Sequence, residues 1–386
     1  MPTKAARETL RFTRLELTNW RNFTAASVRL GQRVFLVGPN ASGKSNLLDA
    51  FRFLQDIADV GGGFQAAVEE RGGVSRLRSL AARSNPSVRV SVRLGTEEEP
   101  DRWVYELTFG QQTRGRRLPQ IETERVTRNG EPVLRRRATR EDDELRTQTM
   151  LEQVASNREF REISEFLRSM RYLHILPQLI REPERATPYI DDPYGSDFLE
   201  QVARTNARTK KARLRRIAKA LRVAIPQLEE LEEYRDETGS PHLRGRYQHW
   251  RGKGAWQDES QFSDGTLRLM GLLWVLQDGS GPVLLEEPEL SLHPEVVRQL
   301  PQLLQRVANR SGRQVIVSTH STDLFLDEGI ALDEVLILTP EGEGTTVSQA
   351  ENIRAISELL EGGGMLRDAI LARTRPPDAH QLALFQ

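Results

Sequence analysis

Gly38-Pro-Asn-Ala-Ser-Gly43-Lys44-Ser45 satisfies the pattern G-x-x-x-x-G-K-[ST] at every fixed position. The flanking sequence supplies the context this pattern needs. Val34-Phe-Leu-Val37 before it is a short apolar, partly β-branched run that reads as a buried strand. After it, Leu47, Leu48, Phe51 and Leu54 recur at helical spacing between Ser45 and Ile57. Strand, glycine loop and helix together make a phosphate cradle, because glycines let successive N–H groups turn inward and the helix N-terminus adds partial positive charge. Gly38, Pro39, Asn40, Ala41, Ser42, Gly43, Lys44, Ser45 and Asn46 are therefore the candidate nucleotide-binding residues. Lys44 would reach the β- and γ-phosphates, and the Ser45 hydroxyl would ligate Mg²⁺.

Composition sets the outer bounds. The 386 residues are enough for two to three domains. With 38% hydrophobic and 28% charged residues the chain is expected to be water-soluble. It has no cysteine, which excludes disulfides, thiolate zinc sites, cysteine nucleophiles and iron–sulfur clusters. No run of about 18 apolar residues predicts a membrane span. Met1 to Thr13 lacks a signal-type apolar stretch, so a cytoplasmic location is expected. Fifty-five basic residues balance 55 acidic ones, so no overall field draws the chain to nucleic acid or lipid. Only six of those basic residues are lysine and 49 are arginine. Arginine-rich codon usage and phosphate gripping both account for that bias. Either way it makes Lys44 conspicuous.

Three further strings lie in the second half. Pro282-Val-Leu-Leu-Glu286-Glu287-Pro288 reads as an apolar strand ending in two carboxylates. Glu286 sits where a carboxylate orders water around Mg²⁺, and Glu287 where a base positions the attacking water. Strand alternation would point the two apart. Taken alone, the string is equally a strand ending in solvated acids. Gln314-Val-Ile-Val-Ser-Thr-His320-Ser321 is a second apolar strand, ending in a histidine placed to sense a γ-phosphate. Phe262-Ser263-Asp264-Gly265-Thr266 precedes the apolar run Leu267 to Leu276. There Ser263 and Gly265 offer a hydroxyl and an N–H to an anion, or simply cap a core helix.

The ordered set resembles the ABC-type ATPases, in particular the SMC/RecF-like branch of stand-alone AAA-type heads. Phe12-Thr-Arg-Leu-Glu-Leu-Thr-Asn19-Trp-Arg-Asn-Phe23 looks like that branch's opening strand and turn, and Phe262 to Arg268 looks like its "L-S-D-G-T-L-R" signature. Glu286-Glu-Pro-Glu-Leu-Ser-Leu-His293-Pro294 looks like its "E-E-P-E-x-x-L-H-P" segment, with the D-loop beginning at Glu289. The likeness is specific over residues 10–75 and 258–325. Two departures stand out: Glu286 replaces an aspartate, and Ser-Asp-Gly-Thr replaces Ser-Gly-Gly-Gln, so that Asp264 must face away from phosphate or serve as a cap. The resemblance implies an α/β fold, an ABC-type P-loop head with a RecA-like core and an antiparallel β subdomain. It implies ATP and Mg²⁺ as ligands, with Lys44, Glu287 and His320 catalytic and Ser45 and Glu286 on the metal. It also implies two heads in opposed orientation, with Ser263 and Gly265 of one facing the phosphate loop of the other, an isologous homodimer or higher oligomer.

The implied organisation has ATPase lobes at residues 1–109 and 258–348, an inserted, partly helical middle at 110–257, and a C-terminal segment and tail at 349–386. Pro119, Pro132, Pro177, Pro183, Pro188, Pro193, Pro226 and Pro241 interrupt the middle, so long SMC-type coiled-coil arms are not expected. The 66 residues after His320 are too few for an added nuclease domain, and the inserted middle disfavours a transporter ATPase. From Gln201 to Val223 nine basic residues occur with no acid, and Leu214, Ile217, Ala218 and Leu221 share one helical face. This predicts one basic amphipathic helix. Arg208, Lys211, Arg213, Arg215, Arg216 and Lys219 are either a solvated face neutralised by the neighbouring Glu229–Glu233 or contacts to a nucleic-acid backbone. Arg244 to Lys253 interleaves aromatics and cations, read first as an exposed hairpin. Arg135-Arg-Arg137 with Arg140 reads as a solvated turn. The chain ends Gln381-Leu-Ala-Leu-Phe385-Gln386, which resembles the peptide that docks bacterial repair proteins on the sliding clamp.

Three functions follow. The first is a DNA-sensing ATPase controlling a separately encoded effector, a nuclease or toxin, in anti-phage defence or DNA maintenance. The second is a RecF-like repair factor on the clamp. The third is a nucleotide-gated protein scaffold that binds no DNA.

Overall fold

Along the chain, β1 (Arg11–Trp20) and β2 (Phe23–Arg29) form a hairpin, and β3 (Arg33–Val37) runs into α1 (Lys44–Ala58). Short helices α2 (Phe64–Glu70) and α3 (Val74–Leu77) lead to β4 (Val88–Gly95), β5 (Trp103–Gln111), β6 (Pro119–Arg128) and β7 (Glu131–Arg137). Then come α4 (Arg161–Arg168), β8 (Arg171–Leu173), α5 (Pro177–Arg181), α6 (Phe198–Arg204) and α7 (Ala207–Leu221). Strands β9 (Leu228–Arg235), β10 (Pro241–Tyr247) and β11 (Ala255–Asp258) precede α8 (Asp264–Val275) and β12 (Val283–Glu286). The remainder is α9 (Pro294–Val297), α10 (Leu300–Ser311), β13 (Val315–Thr319), β14 (Val335–Glu341), β15 (Gly344–Gln349), α11 (Arg354–Glu361) and α12 (Leu366–Thr374). This computed structural model describes residues 9–82, 86–112, 117–137, 144–182, 192–248, 255–375 and 381.

The chain divides into two compact units, one of Met1–Met170, Ser280–Leu284 and Gln302–Gln386, the other of Arg171–Gly279 and Leu285–Pro301. In the first, an antiparallel sheet runs β2-β1-β4-β5-β6-β7. Beside it, β3 pairs in parallel with both β13 and β14, and β15 closes that edge antiparallel. Every residue of β3 and β13 is buried, as expected for parallel strands covered on both faces. Helix α1 buries Leu47, Leu48, Phe51 and Leu54, the residues its spacing singled out. The Phe12 ring packs 4.7 Å from Phe51 and 4.9 Å from Phe166, each burial contributing roughly 1.5–3 kcal/mol. Gln314 ties the two sheets. Its buried amide donates to the Phe12 and Gly31 carbonyls, both at 2.7 Å, and accepts from the Phe12 N–H at 3.0 Å.

The second unit holds the antiparallel sheet β11-β10-β9 and helices α5 to α8. Two local expectations are corrected here and in the first unit. The basic stretch 201–223 is not one helix. It breaks at Asn206, whose side chain caps α7 by accepting from the Arg208 N–H at 3.0 Å. Arg135 to Arg137 are not a turn but the end of edge strand β7, and Arg136 reaches across to the buried Glu124 at 3.5 Å. Arg140 lies outside the described residues.

Candidate nucleotide site

In the first unit, β3 ends at Val37 and the chain swings through Gly38–Gly43 into α1. Ala41 (φ 61°) and Gly43 (φ 96°) both adopt left-handed backbone, which turns successive N–H groups to one side, as anion-holding nests do. Gly43 must be glycine on two counts: its φ, and an added Cβ that would lie 2.1 Å from the Asn22 side chain. Lys44 is buried, and its ammonium donates to the Gly38 and Pro39 carbonyls at 2.9 and 3.0 Å. His320 Nδ1 is 3.4 Å from the same nitrogen. The register explains this meeting, since Val37 pairs with Thr319 and the next residue of each strand emerges beside the other. A cleft of ≈ 160 Å³ opens there, lined by Gly38, Pro39, Asn40, His320 and Ser321, with Ile370 and Thr374 of α12 as a further wall.

Asn22, which the glycine-loop pattern does not include, is a further site residue. Its side-chain N–H₂ donates to the Ser42 carbonyl at 3.0 Å and the Thr345 hydroxyl at 2.8 Å, while its oxygen accepts from Asn46 at 2.8 Å. One amide thus braces the loop, α1 and β15. The loop fits a polyphosphate: the Ser42 hydroxyl is buried without a hydrogen-bond partner, and Ser45 stands exposed on the first turn of α1. Among the described residues no group of three or more His, Asp or Glu gathers as a metal site.

In the second unit, β12 ends at Glu286, and Glu287 has φ 46°. Glu287 thus stands one residue past the strand end, with its backbone in the left-handed region. Tyr172, also unflagged by sequence, donates its hydroxyl to the Glu286 carboxylate. His174 Nδ1 sits 3.3 Å from the Glu286 carbonyl oxygen. Ser263 caps α8, its hydroxyl accepting from the Thr266 N–H at 3.2 Å. Gly265 packs so closely on the turn after Glu287 that an added Cβ would lie 2.4 Å from the Ser291 carbonyl oxygen. Asp264 is paired with Arg181 at 2.7 Å. Burial lowers the Arg268 guanidinium from its ordinary value, against the opposing pull of Asp264, Glu287 and Glu289.

The basic helix α7 buries Leu214, Ile217, Ala218 and Leu221. Arg213 turns inward: its guanidinium lies 5.3 Å from the centre of the Trp274 ring and 2.9 Å from the Asp278 carboxylate. Arg208, Lys211, Arg215, Arg216 and Lys219 are exposed and form no ion pair among the described residues. The neighbouring acids are engaged elsewhere. Glu229 and Glu230 pair with Arg246, Glu232 with Arg244, and Glu233 with Lys210. Arg244 is also sandwiched between the Tyr234 and Trp256 rings at 4.8 and 4.6 Å. The aromatic–cationic stretch is thus a self-neutralised sheet face as far as Gln248, and residues 249–254 lie outside the described residues.

The family model described as "AAA domain, putative AbiEii toxin, Type IV TA system" matches residues 33–327. The chain belongs to this family. Solved SMC heads share the fold of this SMC/RecF-like ABC-type ATPase. A head bound to the C-winged helix domain of ScpA aligns over 87% of this chain and 96% of that one, with TM-score 0.53 and 16% identity. The head from Pyrococcus furiosus, with an extended coiled coil and bound to the C-terminal domain of ScpA, aligns over 92% and 100%, with TM-score 0.51 and 13% identity. A DNA replication and repair protein RecF from Allorhizobium ampelinum is 55% identical over 42 residues, 11% of each chain, so the match spans about a tenth of that relative's length. Among its described residues, no helix is long and apolar enough to cross a membrane.

Proposed function

We propose that this ATPase hydrolyses ATP between two copies of itself and couples turnover to nucleic acid held on α7. The observation that carries the reading is Lys44, its ammonium held by the loop carbonyls at 2.9 and 3.0 Å and 3.4 Å from His320. In this reading Lys44 and the loop N–H groups hold the phosphates, and His320 steadies the terminal one. Glu287 orients the attacking water and accepts its proton. Ser45 and Glu286 would hold Mg²⁺, which when bound neutralises phosphate charge. Ser263 and Gly265 of a second copy complete the contacts, so the dimer persists only while the γ-phosphate does. Residues 1–109 and 258–348 act as the ATPase lobes, 110–257 as an insertion and 349–386 as a C-terminal segment.

The exposed cations of α7 support a nucleic-acid contact, because the acids that could neutralise them are paired with other residues. The family's description, which names a toxin and a toxin–antitoxin system, supports control of a separately encoded effector. A second reading, a repair factor that docks on the sliding clamp, is favoured by the RecF segment. Of its candidate docking peptide, only Gln381 lies within the described residues. The discriminating experiment measures phosphate release and self-association with and without ATP and duplex DNA. ATP-dependent association with DNA-stimulated hydrolysis is expected. Association indifferent to ATP would sink the dimer reading, and hydrolysis indifferent to DNA would leave a nucleotide-gated scaffold.

A further inference from the structure

The first turn of α8 carries a negative charge in an awkward place. Asp264 occupies the first helical position, directly after the capping Ser263. There a carboxylate suits the helix dipole, yet it opposes any anion brought to the Ser263 hydroxyl and the Gly265 N–H. Arg181, the last residue of α5, meets this conflict. Its Nη2 lies 2.7 Å from Asp264 Oδ1 and donates to the Phe262 carbonyl oxygen at 2.5 Å. One guanidinium therefore bridges the residues on either side of Ser263. From the other side, the Ser291 carbonyl closes on Gly265, leaving no space for a Cβ. The turn is held at both ends, with Ser263 itself left exposed.

We propose that Arg181 is a positioning residue of this phosphate-facing turn. It cancels the Asp264 charge and fixes the Phe262–Asp264 backbone, so that Ser263 and Gly265 donate outward to a nucleoside triphosphate. The assignment rests on the reading above, that the turn meets nucleotide held by a second copy. It makes charge the controlling variable. Removing Arg181 exposes a repelling carboxylate, and removing that carboxylate as well relieves the repulsion.

The test titrates ATP with Mg²⁺ against the full chain and follows association by light scattering, with phosphate release and thermal unfolding in parallel. Arg181→Ala should raise the ATP concentration for half-maximal association about tenfold, a partly exposed charge-assisted contact being lost. The double variant Arg181→Ala/Asp264→Asn should return to within about threefold of wild type, the non-additivity expected of coupled neighbours. A merely structural role would instead lower the unfolding temperature of Arg181→Ala as its midpoint rises, whereas a positioning role moves the midpoint with the unfolding temperature unchanged. Wild type that fails to associate at any ATP concentration would overturn the dimer reading and this assignment with it. Wild type that associates, while Arg181→Ala keeps the same midpoint or the double variant is no better than the single, would overturn the assignment alone. Should Arg181→Ala not fold, Arg181→Lys and Asp264→Asn decide. The lysine, lacking the bridging fork, must raise the midpoint and the asparagine must not.

Discussion

Lys44 and His320 are 276 residues apart in the chain, yet Nζ and Nδ1 stand 3.4 Å from each other. The in-register parallel pairing of β3 with β13 brings them together. The two should fail differently. Lys44→Ala removes the cation on the phosphates, and nucleotide affinity should fall roughly ten- to a hundredfold, as for a lost charge-assisted hydrogen bond. His320→Ala should bind within a few-fold of wild type and lose turnover instead. A fluorescent-nucleotide titration beside a phosphate-release assay separates them, and unchanged affinity in Lys44→Ala would refute the cradle.

Glu287 holds φ 46°, a left-handed conformation that costs a non-glycine residue energy and recurs at functional sites. Glu287→Gln keeps size and hydrogen bonding but loses the base, so turnover should fall at least about a hundredfold with unfolding temperature unchanged. Glu287→Gly should lose turnover too, yet stabilise the fold by up to about 1 kcal/mol through relief of the left-handed strain. Chemical denaturation and phosphate release measure the pair. Wild-type turnover in Glu287→Gln would remove Glu287 as the base.

His242 Nδ1 lies 2.6 Å from Glu259 and Nε2 3.4 Å from Asp236. Burial pulls the imidazole down, but the two acids outweigh it and raise it above 6.5. Its contribution to stability is therefore whole below pH 6.5 and lost as the pH climbs through the raised folded value. Asp236 runs the other way. Hydrogen bonding, from Thr238 above all, lowers it from 3.8 to about 2, so its contribution is whole above pH 3.8 and lost as the pH falls through about 2. Between those limits both act. Unfolding temperature should decline on the alkaline side for wild type, and His242→Gln should flatten that decline. Parallel alkaline slopes in the two proteins would discard the linkage.

Local patterns carried the loop, α1 and the strand ends, because each is written in contiguous residues. What contiguous sequence cannot show is which distant side chain braces which turn. Asn22 lies within the string Phe12 to Phe23 and Tyr172 lies in a stretch that no motif marks, and only the fold sets them against the loop and Glu286. The left-handed φ of Glu287, one residue past the strand end, likewise leaves no trace in composition. Asn206 broke an expected helix for a legible reason: asparagine is among the best N-caps, and the uninterrupted charge pattern outweighed it.

The α7 cations divide by what they touch, and so should their variants. Arg208, Lys211, Arg215 and Lys219 recur at three- and four-residue intervals along one exposed stripe, so they would meet a phosphate backbone together. Replacing all four with glutamine should weaken DNA binding and reduce the slope of log K against log salt by roughly three to four, the value for as many lost duplex phosphate contacts. Arg213 belongs to the other class, because it lies over Trp274 and pairs with Asp278. Arg213→Ala should cost about 1 kcal/mol of stability and leave the salt slope within one unit of wild type. Fluorescence anisotropy on a labelled duplex across a salt series reads both. An unchanged slope in the quadruple variant would return the stripe to an ordinary solvated helix face.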